Sequence, residues 1–224
     1  FIGDYKNKII SSIFSGIDDI YYQIAVINAG GYTYGWFNEK FNYDNKKRFK
    51  TIKDSKGLYF IPHIGGRYNP PQPYFEGSWI GIKWEHDLDS FYISILESIG
   101  YEFGYILNYI KKLNNLGNNA FSEIRVIGGG SKNILWNKIK SSILNLKYIK
   151  MRDVSFEVIG TFLIAKYRNN MKEGCKELIE NKVVSTDKII NPDKEKVEFY
   201  KKYKENYIEI VNKLEEIYYK LNVN

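Results

Sequence analysis

A chain of 224 residues with 44% apolar and 17% aromatic content can bury one good core, and we expect a single domain rather than a disordered or fibrous polypeptide. The net charge of +7 is spread along a Lys-rich sequence instead of gathering in an arginine- and aromatic-rich patch, which argues against a nucleic-acid partner. No apolar run approaches the ~20 residues needed to cross a bilayer, and the lone Cys175 excludes an internal disulfide, so we expect a cytoplasmic protein with no membrane partner.

In chain order, residues 9–27 carry short β-rich runs broken by Gly16, Asp18 and Asp19, and read as a hairpin ahead of a helix that begins near Gly31. The basic cluster Lys46, Lys47, Arg48, Lys50 and Lys53 reads as a solvated loop or short exposed helix. Residues 57–61 form an apolar strand. The stretch 62–73, with four prolines and two glycines, is an irregular loop of the length that commonly lines a site. From Leu88 to Leu116 apolar residues hold helical spacing, including Leu96, Ile99, Phe103 and Ile106 on one face, and Gly117 is placed to cap the end.

The strand 123–127 runs into Gly128, Gly129 and Gly130, and Asn133 opens a helix to Leu146. Three glycines between a strand and a helix start let a ligand approach main-chain amides, the arrangement that holds a phosphate or ribose, although a tight turn without ligand explains them equally well. The segment is neither a P-loop nor a G-x-G-x-x-G fingerprint. A strand at 148–151 and a helix at 156–167 complete an alternating pattern of strands and helices. The final helix, 193–221, repeats Tyr200, Tyr203, Tyr207, Ile210, Leu214, Ile217 and Leu221 at heptad-like steps. That spacing raises a coiled-coil homodimer, but a helix lying on its own domain is the reading we adopt.

Several of these segments, in order, resemble the C-terminal domain of the FGGY family of carbohydrate kinases. They are Ala29 to Gly31 with Gly35, Trp36 and Phe37; Gly57 to Pro62; Gly66 and Arg67 with Pro70 and Pro71; Gly77 to Ile82 with His86 and the helix through Ser94, Glu97 and Gly100; Gly128 to Trp136; and Glu157 with Gly160 to Ala165. The tyrosine-rich tail is most similar to the xylulokinase side of the family. The resemblance implies an actin-like ATPase (ribonuclease H-like) α/β domain, a mixed sheet covered by helices, occupying residues 1–224 with 193–222 as a C-terminal helix.

It further implies the ATP-binding lobe of a sugar kinase, with ATP as cosubstrate, Mg2+ held mainly through the nucleotide phosphates, and xylulose or a related pentulose as acceptor. The sugar pocket, the Asp base and a phosphate-contacting Gly-Thr segment belong, by the same resemblance, to an N-terminal lobe and to sequence outside these residues, so this fragment alone is expected to be inactive. The alternative is a stand-alone, non-catalytic nucleotide- or protein-binding domain. Gly128, Gly129, Gly130, Ser131 and Asn133 are then the nucleotide side of the cleft, with Gly31 and Gly35 bordering its other face. Arg67 is either a phosphate or lobe-closure contact or a structural salt bridge. No catalytic residue is named, since Asp87 and Asp89 sit where helix capping explains them. His86 is expected to serve loop backbone, and no metal site is expected from His63 or His86.

Overall fold

A computed structural model describes residues 11–14, 21–44, 53–168 and 170–222. Strands β1 (Ser11–Phe14) and β2 (Tyr21–Ile24) form the expected antiparallel hairpin and lead into helix α1 (Gly30–Lys40). Strand β3 (Tyr59–Ile61) pairs antiparallel with β4 (Ser78–Ile80), a strand the sequence reading did not assign. The long helix α2 (Leu88–Leu113) follows, then β5 (Glu123–Val126), a 3-10 turn (Gly129–Lys132), α3 (Ile134–Leu144) and β6 (Lys147–Met151). After α4 (Phe156–Tyr167) and α5 (Met171–Glu180), strand β7 (Thr186–Ile190) precedes α6 (Lys194–Asn222). Asp18, Asp19 and the basic residues 46–50 lie outside the described residues.

β5 and β6 run parallel with α3 as their crossover, and β7 adds to β6 antiparallel, giving a mixed three-stranded sheet in the order β5-β6-β7. The glycine turn stands at its β5 edge. Helix α2 begins with a capping box in which the Asp87 side chain accepts from the Ser90 amide at 2.8 Å, so the hydrogen bonds from Ser90 hold the Asp87 carboxyl below its ordinary range. Its end corrects the expected glycine cap: the helix closes at Asn114, whose side chain donates to the Ile110 carbonyl at 2.8 Å, and Asn115 takes the left-handed turn at φ 51. Asparagine tolerates that conformation because its short polar side chain bonds locally.

α2 is the centre of the core. Leu96, Ile99 and Ile106 are buried and Phe103 half-buried, while Gly100 lets α3 come close enough that a Cβ there would sit 2.6 Å from Ile143 Cδ1. α6 packs on the same core: Tyr200 and Tyr207, seven residues apart, donate to Glu97 at 3.0 Å and Glu102 at 2.9 Å on α2. Tyr200, Tyr207 and Val211 are thereby buried within the chain, so the first half of the heptad seam packs on its own domain, while Ile217 and Leu221 at its end are exposed. Among the described residues no helix is long and apolar enough to cross a membrane.

Candidate functional site

The turn after β5 owes its shape to one glycine. Gly128 has φ 75, a conformation that side chains with a Cβ resist, whereas Gly129 and Gly130 need no positive φ. Gly128 and Gly129 are exposed, and nothing lies within 4 Å of where a Cβ on either would stand. Gly130 differs, since its Cβ would meet the Trp136 ring at 3.4 Å. Main chain at 128 and 129 is therefore open to close approach, the condition a nucleotide phosphate or ribose requires.

Ser131 and Asn133 hold this turn. The Ser131 hydroxyl donates to the Gly128 carbonyl at 2.7 Å, and Asn133 caps α3 by accepting the Trp136 amide at 3.0 Å on Oδ1. The Asn137 side chain braces the same loop by donating to the Ser131 carbonyl at 2.8 Å. Asn133 keeps its Nδ2 donors, and Ser131 keeps acceptor capacity on Oγ.

Gly31 and Gly35 lie one turn apart on the exposed face of α1. A helix gives up roughly 0.5–1 kcal/mol for each interior glycine relative to alanine, so this Cβ-free strip has a cost that packing does not explain. α1 reaches the glycine turn through Tyr34, whose ring meets Trp136 edge-on at 5.4 Å between centroids. Gly30, Gly130, Ser131 and Trp136 all line one groove of about 660 Å3. Of the site residues singled out from sequence, Gly130 and Ser131 line this groove, whereas Gly31, Gly35, Gly128, Gly129 and Asn133 do not.

Arg67 is not among the residues lining that groove. Its guanidinium is turned inward, 3.6 Å from Glu102 and 4.6 Å from the centre of the Tyr105 ring, with the side chain 2% exposed. Of the two roles left open by sequence, the structure displays the salt bridge. His63 Nε2 stands 3.4 Å from the same carboxylate. Burial pushes Glu102 upward, but His63, Arg67 and the Tyr207 hydroxyl outweigh it and leave the carboxyl below its ordinary value. His86 serves loop backbone as expected: Nδ1 accepts from the Lys83 amide at 3.0 Å, and Nε2 lies 3.3 Å from the Lys56 carbonyl.

Two groove residues escaped the sequence reading. Lys140 is buried with Nζ 4.1 Å from the Trp136 ring centre, it has no carboxylate partner among the described residues, and burial lowers its pKa to about 8. The Tyr148 hydroxyl, also lining the groove, is buried without a hydrogen-bond partner. The available signal was a lysine four residues after a tryptophan and beside Ile139 and Ile143, on the inward face of α3. Among the described residues no group of three His, Cys, Asp or Glu side chains is placed to hold a metal ion.

Residues 9–168 match the family model for the FGGY family of carbohydrate kinases, C-terminal domain. A xylulose kinase of Staphylococcus epidermidis is 25% identical over 196 residues, which cover 84% of this chain and 38% of that protein. A glycerol kinase of Borreliella burgdorferi is 26% identical over 169 residues, 73% of this chain and 33% of the relative. The crystal structure of ligand-bound xylulose kinase from Lactobacillus acidophilus superposes with a TM-score of 0.79 at 19% identity, covering 96% of this chain and 44% of that one. Plasmodium falciparum glycerol kinase with ADP gives a TM-score of 0.72 at 16% identity over 92% of this chain and 42% of that one. The chain therefore spans well under half the length of these relatives. The shared fold is the actin-like, ribonuclease H-like ATPase fold.

Proposed function

The chain belongs to the FGGY family of carbohydrate kinases, and from that membership we propose that it is the nucleotide-binding lobe of a two-lobed kinase that passes the γ-phosphate of ATP to a sugar hydroxyl. The acceptor in this reading is xylulose or a related pentulose. The xylulose kinases among its relatives, at 25% identity over most of the chain, support that choice.

One observation carries the nucleotide assignment: two exposed, Cβ-free stretches of main chain, Gly31 with Gly35 and Gly128 with Gly129, are joined through the Tyr34–Trp136 contact. In the bound state the amides at 128–130 face phosphate or ribose oxygens, Asn133 Nδ2 donates alongside them, and the glycine strip of α1 borders the opposite side. ATP supplies the transferred phosphoryl group, and magnesium, held mainly through the nucleotide phosphates rather than by this chain, would neutralise their charge. Arg67 acts as a positioning residue that ties the 63–72 loop to α2. The base and sugar pocket come from the other lobe, so in-line transfer waits on closure of both.

The test is calorimetric titration of ATP into the chain, beside a sugar-phosphorylation assay with xylulose, ribulose, gluconate and glycerol. We expect ATP binding without sugar phosphate from the chain alone. Turnover of ATP with any pentulose by this chain alone would overturn the two-lobe reading, and absence of ATP binding at millimolar nucleotide would overturn the nucleotide assignment.

A further inference from the structure

The far end of α2 carries charge of one sign. From Phe103 to Ser122 the chain has no Asp or Glu, while Lys111 and Lys112 fall in the last turn of the helix and five asparagines are spread along the stretch. Between this segment and Ile208 of α6 lies a cavity of about 670 Å3, lined by Lys111, Lys112, Asn108, Asn115 and Asn118 among others, with no carboxylate in its lining. Lysines in the last turn of a helix ordinarily answer the negative end of its dipole. That accounts for Lys111 and Lys112. It does not account for Lys204, which comes from the interior of α6.

Lys204 stands one turn before Ile208 on the same face of α6, and its half-buried stem lies across α2, where a Cβ on Gly104 would be 3.1 Å from Lys204 Cδ. Burial holds its pKa below the ordinary lysine value, and the charges of Lys111 and Lys201 press it the same way, while Glu205 pulls against them. Two helices thus bring lysine charges together, and none of Lys111, Lys112, Lys201 and Lys204 has a salt bridge among the described residues. Lys111 Nζ is steadied by the Asn118 carbonyl, to which it donates at 2.9 Å. The remaining wall is ring and aliphatic surface from Tyr105, Tyr109, Leu116 and Ile208, with the Arg67 guanidinium 4.6 Å from the centre of the Tyr105 ring.

We infer that this cavity binds a small organic phosphate, a phosphate ester on a hydroxyl-bearing carbon skeleton, with the phosphoryl group toward Lys111, Lys112 and Lys204 and the skeleton against Tyr105, Tyr109 and Leu116. Lysines gathered without an acid fix the sign of the ligand, and an ammonium is a point charge suited to a phosphate. Asparagine amides both donate and accept, which suits hydroxyl groups. A bare inorganic anion would leave the aromatic wall unmet, and an uncharged ring would leave the lysines unmet. The volume is within the range of about 300–1,000 Å3 that small-molecule sites occupy. No residue lining this cavity also lines the groove at the glycine turn, so the inference holds whether or not nucleotide binds there.

The test is titration of the full chain with ribose 5-phosphate, followed by amide NMR shifts, beside ribose and inorganic sulfate. We expect ribose 5-phosphate to shift the amides of residues 105–118 with a dissociation constant below about 1 mM. Affinity should fall at least about threefold between roughly 50 and 300 mM salt, because the attraction is between partly exposed charges. In Gly129→Val the affinity should be unchanged, which separates this cavity from the glycine turn.

Asn108→Asp sets a carboxylate in the lining one turn before Lys112, a spacing that supports the helix, so the fold is kept while affinity should drop at least about tenfold. Lys111→Gln combined with Lys112→Gln should cause a similar drop. Glu205→Gln, which removes the acid opposing the lysines at Lys204, should tighten binding about twofold. Unshifted amides at 105–118 with about 10 mM ribose 5-phosphate would overturn the inference, as would unchanged affinity in Asn108→Asp. Sulfate binding as well as ribose 5-phosphate would reduce the site to general anion attraction, and ribose binding as well would mean that the phosphate is not read. Either result would also overturn it.

Discussion

Helix α2 presents two sides of opposite character. Toward α6 and the 55–67 loop it is finished: Glu97 accepts from Ser55 Oγ at 2.7 Å and Tyr200 at 3.0 Å, while Glu102 gathers Tyr207, His63 and Arg67. Toward β5 the same helix offers Phe103 and Ile110 half-buried to a groove whose lysine has no anion. On one side the buried carboxylates accept hydrogen bonds and face cations, though the Arg67 nitrogens make no hydrogen bond; on the other the buried Lys140 meets aromatic faces and, among the described residues, no carboxylate. The predictions below test that contrast from its strongest member to its weakest.

Glu102 is where the finished side is most exposed to damage. Glu102→Gln leaves the Arg67 guanidinium, with none of its nitrogens hydrogen-bonded, and His63 facing a neutral group in the core. Losing one partner of a buried pair costs about 3–5 kcal/mol, so chemical denaturation should show a loss of that size or outright failure to fold. A loss under about 1 kcal/mol would mean that the cluster is solvated and the side is not closed.

The two sides also differ in how pH acts on them. Burial raises Glu97 from 4.5 to about 7, against the opposing bonds from Ser55 and Tyr200. A carboxyl raised on folding binds its proton more tightly in the native state, so its contribution is full below the unfolded value and is lost as pH rises toward 7. Lys140 does the reverse, lowered by burial from 10.5 to about 8, so folding releases its proton and stability recovers as pH rises from 8 to 10.5. At about 1.4 kcal/mol per unit, each group accounts for up to about 3 kcal/mol. The melting temperature should fall between pH 5 and 7 in the parent and not in Glu97→Gln. Lys140→Met should melt higher than the parent at pH 7, with the gap closing by pH 10. A parent profile that is flat between pH 5 and 7, with no gap at pH 7 between Lys140→Met and the parent, would remove the electrostatic contrast.

Packing gives a smaller effect. Gly100→Val places a branched side chain against Ile143, and overpacking of this kind costs about 1–3 kcal/mol. A circular-dichroism melt measures it, and an unchanged melting temperature would mean that α2 and α3 can part without loss.

How far these features were legible depended on what each residue answers to. Phe156 to Tyr167 was read as a helix to the residue, and Asn133 was placed at the start of α3, where it proves to be the cap, because helical period is a local signal. The end of α2 was misplaced to Gly117, since Asn114 and Asn115 do by side-chain bonding what glycine does by lacking a Cβ. β7 was missed because four of its five residues are exposed, so its sequence carries little apolar pattern. The glycines of the candidate site were visible in sequence. Lys140 was not, because its setting is made by Phe103 from α2 and Tyr148 from β6, residues distant in the chain.

Gly129 gives the smallest change in stability and the sharpest reading of the site. Valine at Gly128 would strain a φ of 75, and at Gly130 it would press on the Trp136 ring, so neither substitution separates ligand loss from turn damage. At Gly129 a Cβ meets no atom within 4 Å and needs no positive φ. Gly129→Val should shift stability by no more than about 0.5 kcal/mol, the range of an exposed substitution. If main chain at 129 receives the nucleotide, the same side chain fills the space the ligand needs, and ATP affinity measured by calorimetry should drop at least tenfold, about 1.4 kcal/mol. Unchanged affinity with an unchanged melt would show that nothing approaches this turn, and the three glycines would then be a structural bend between β5 and α3.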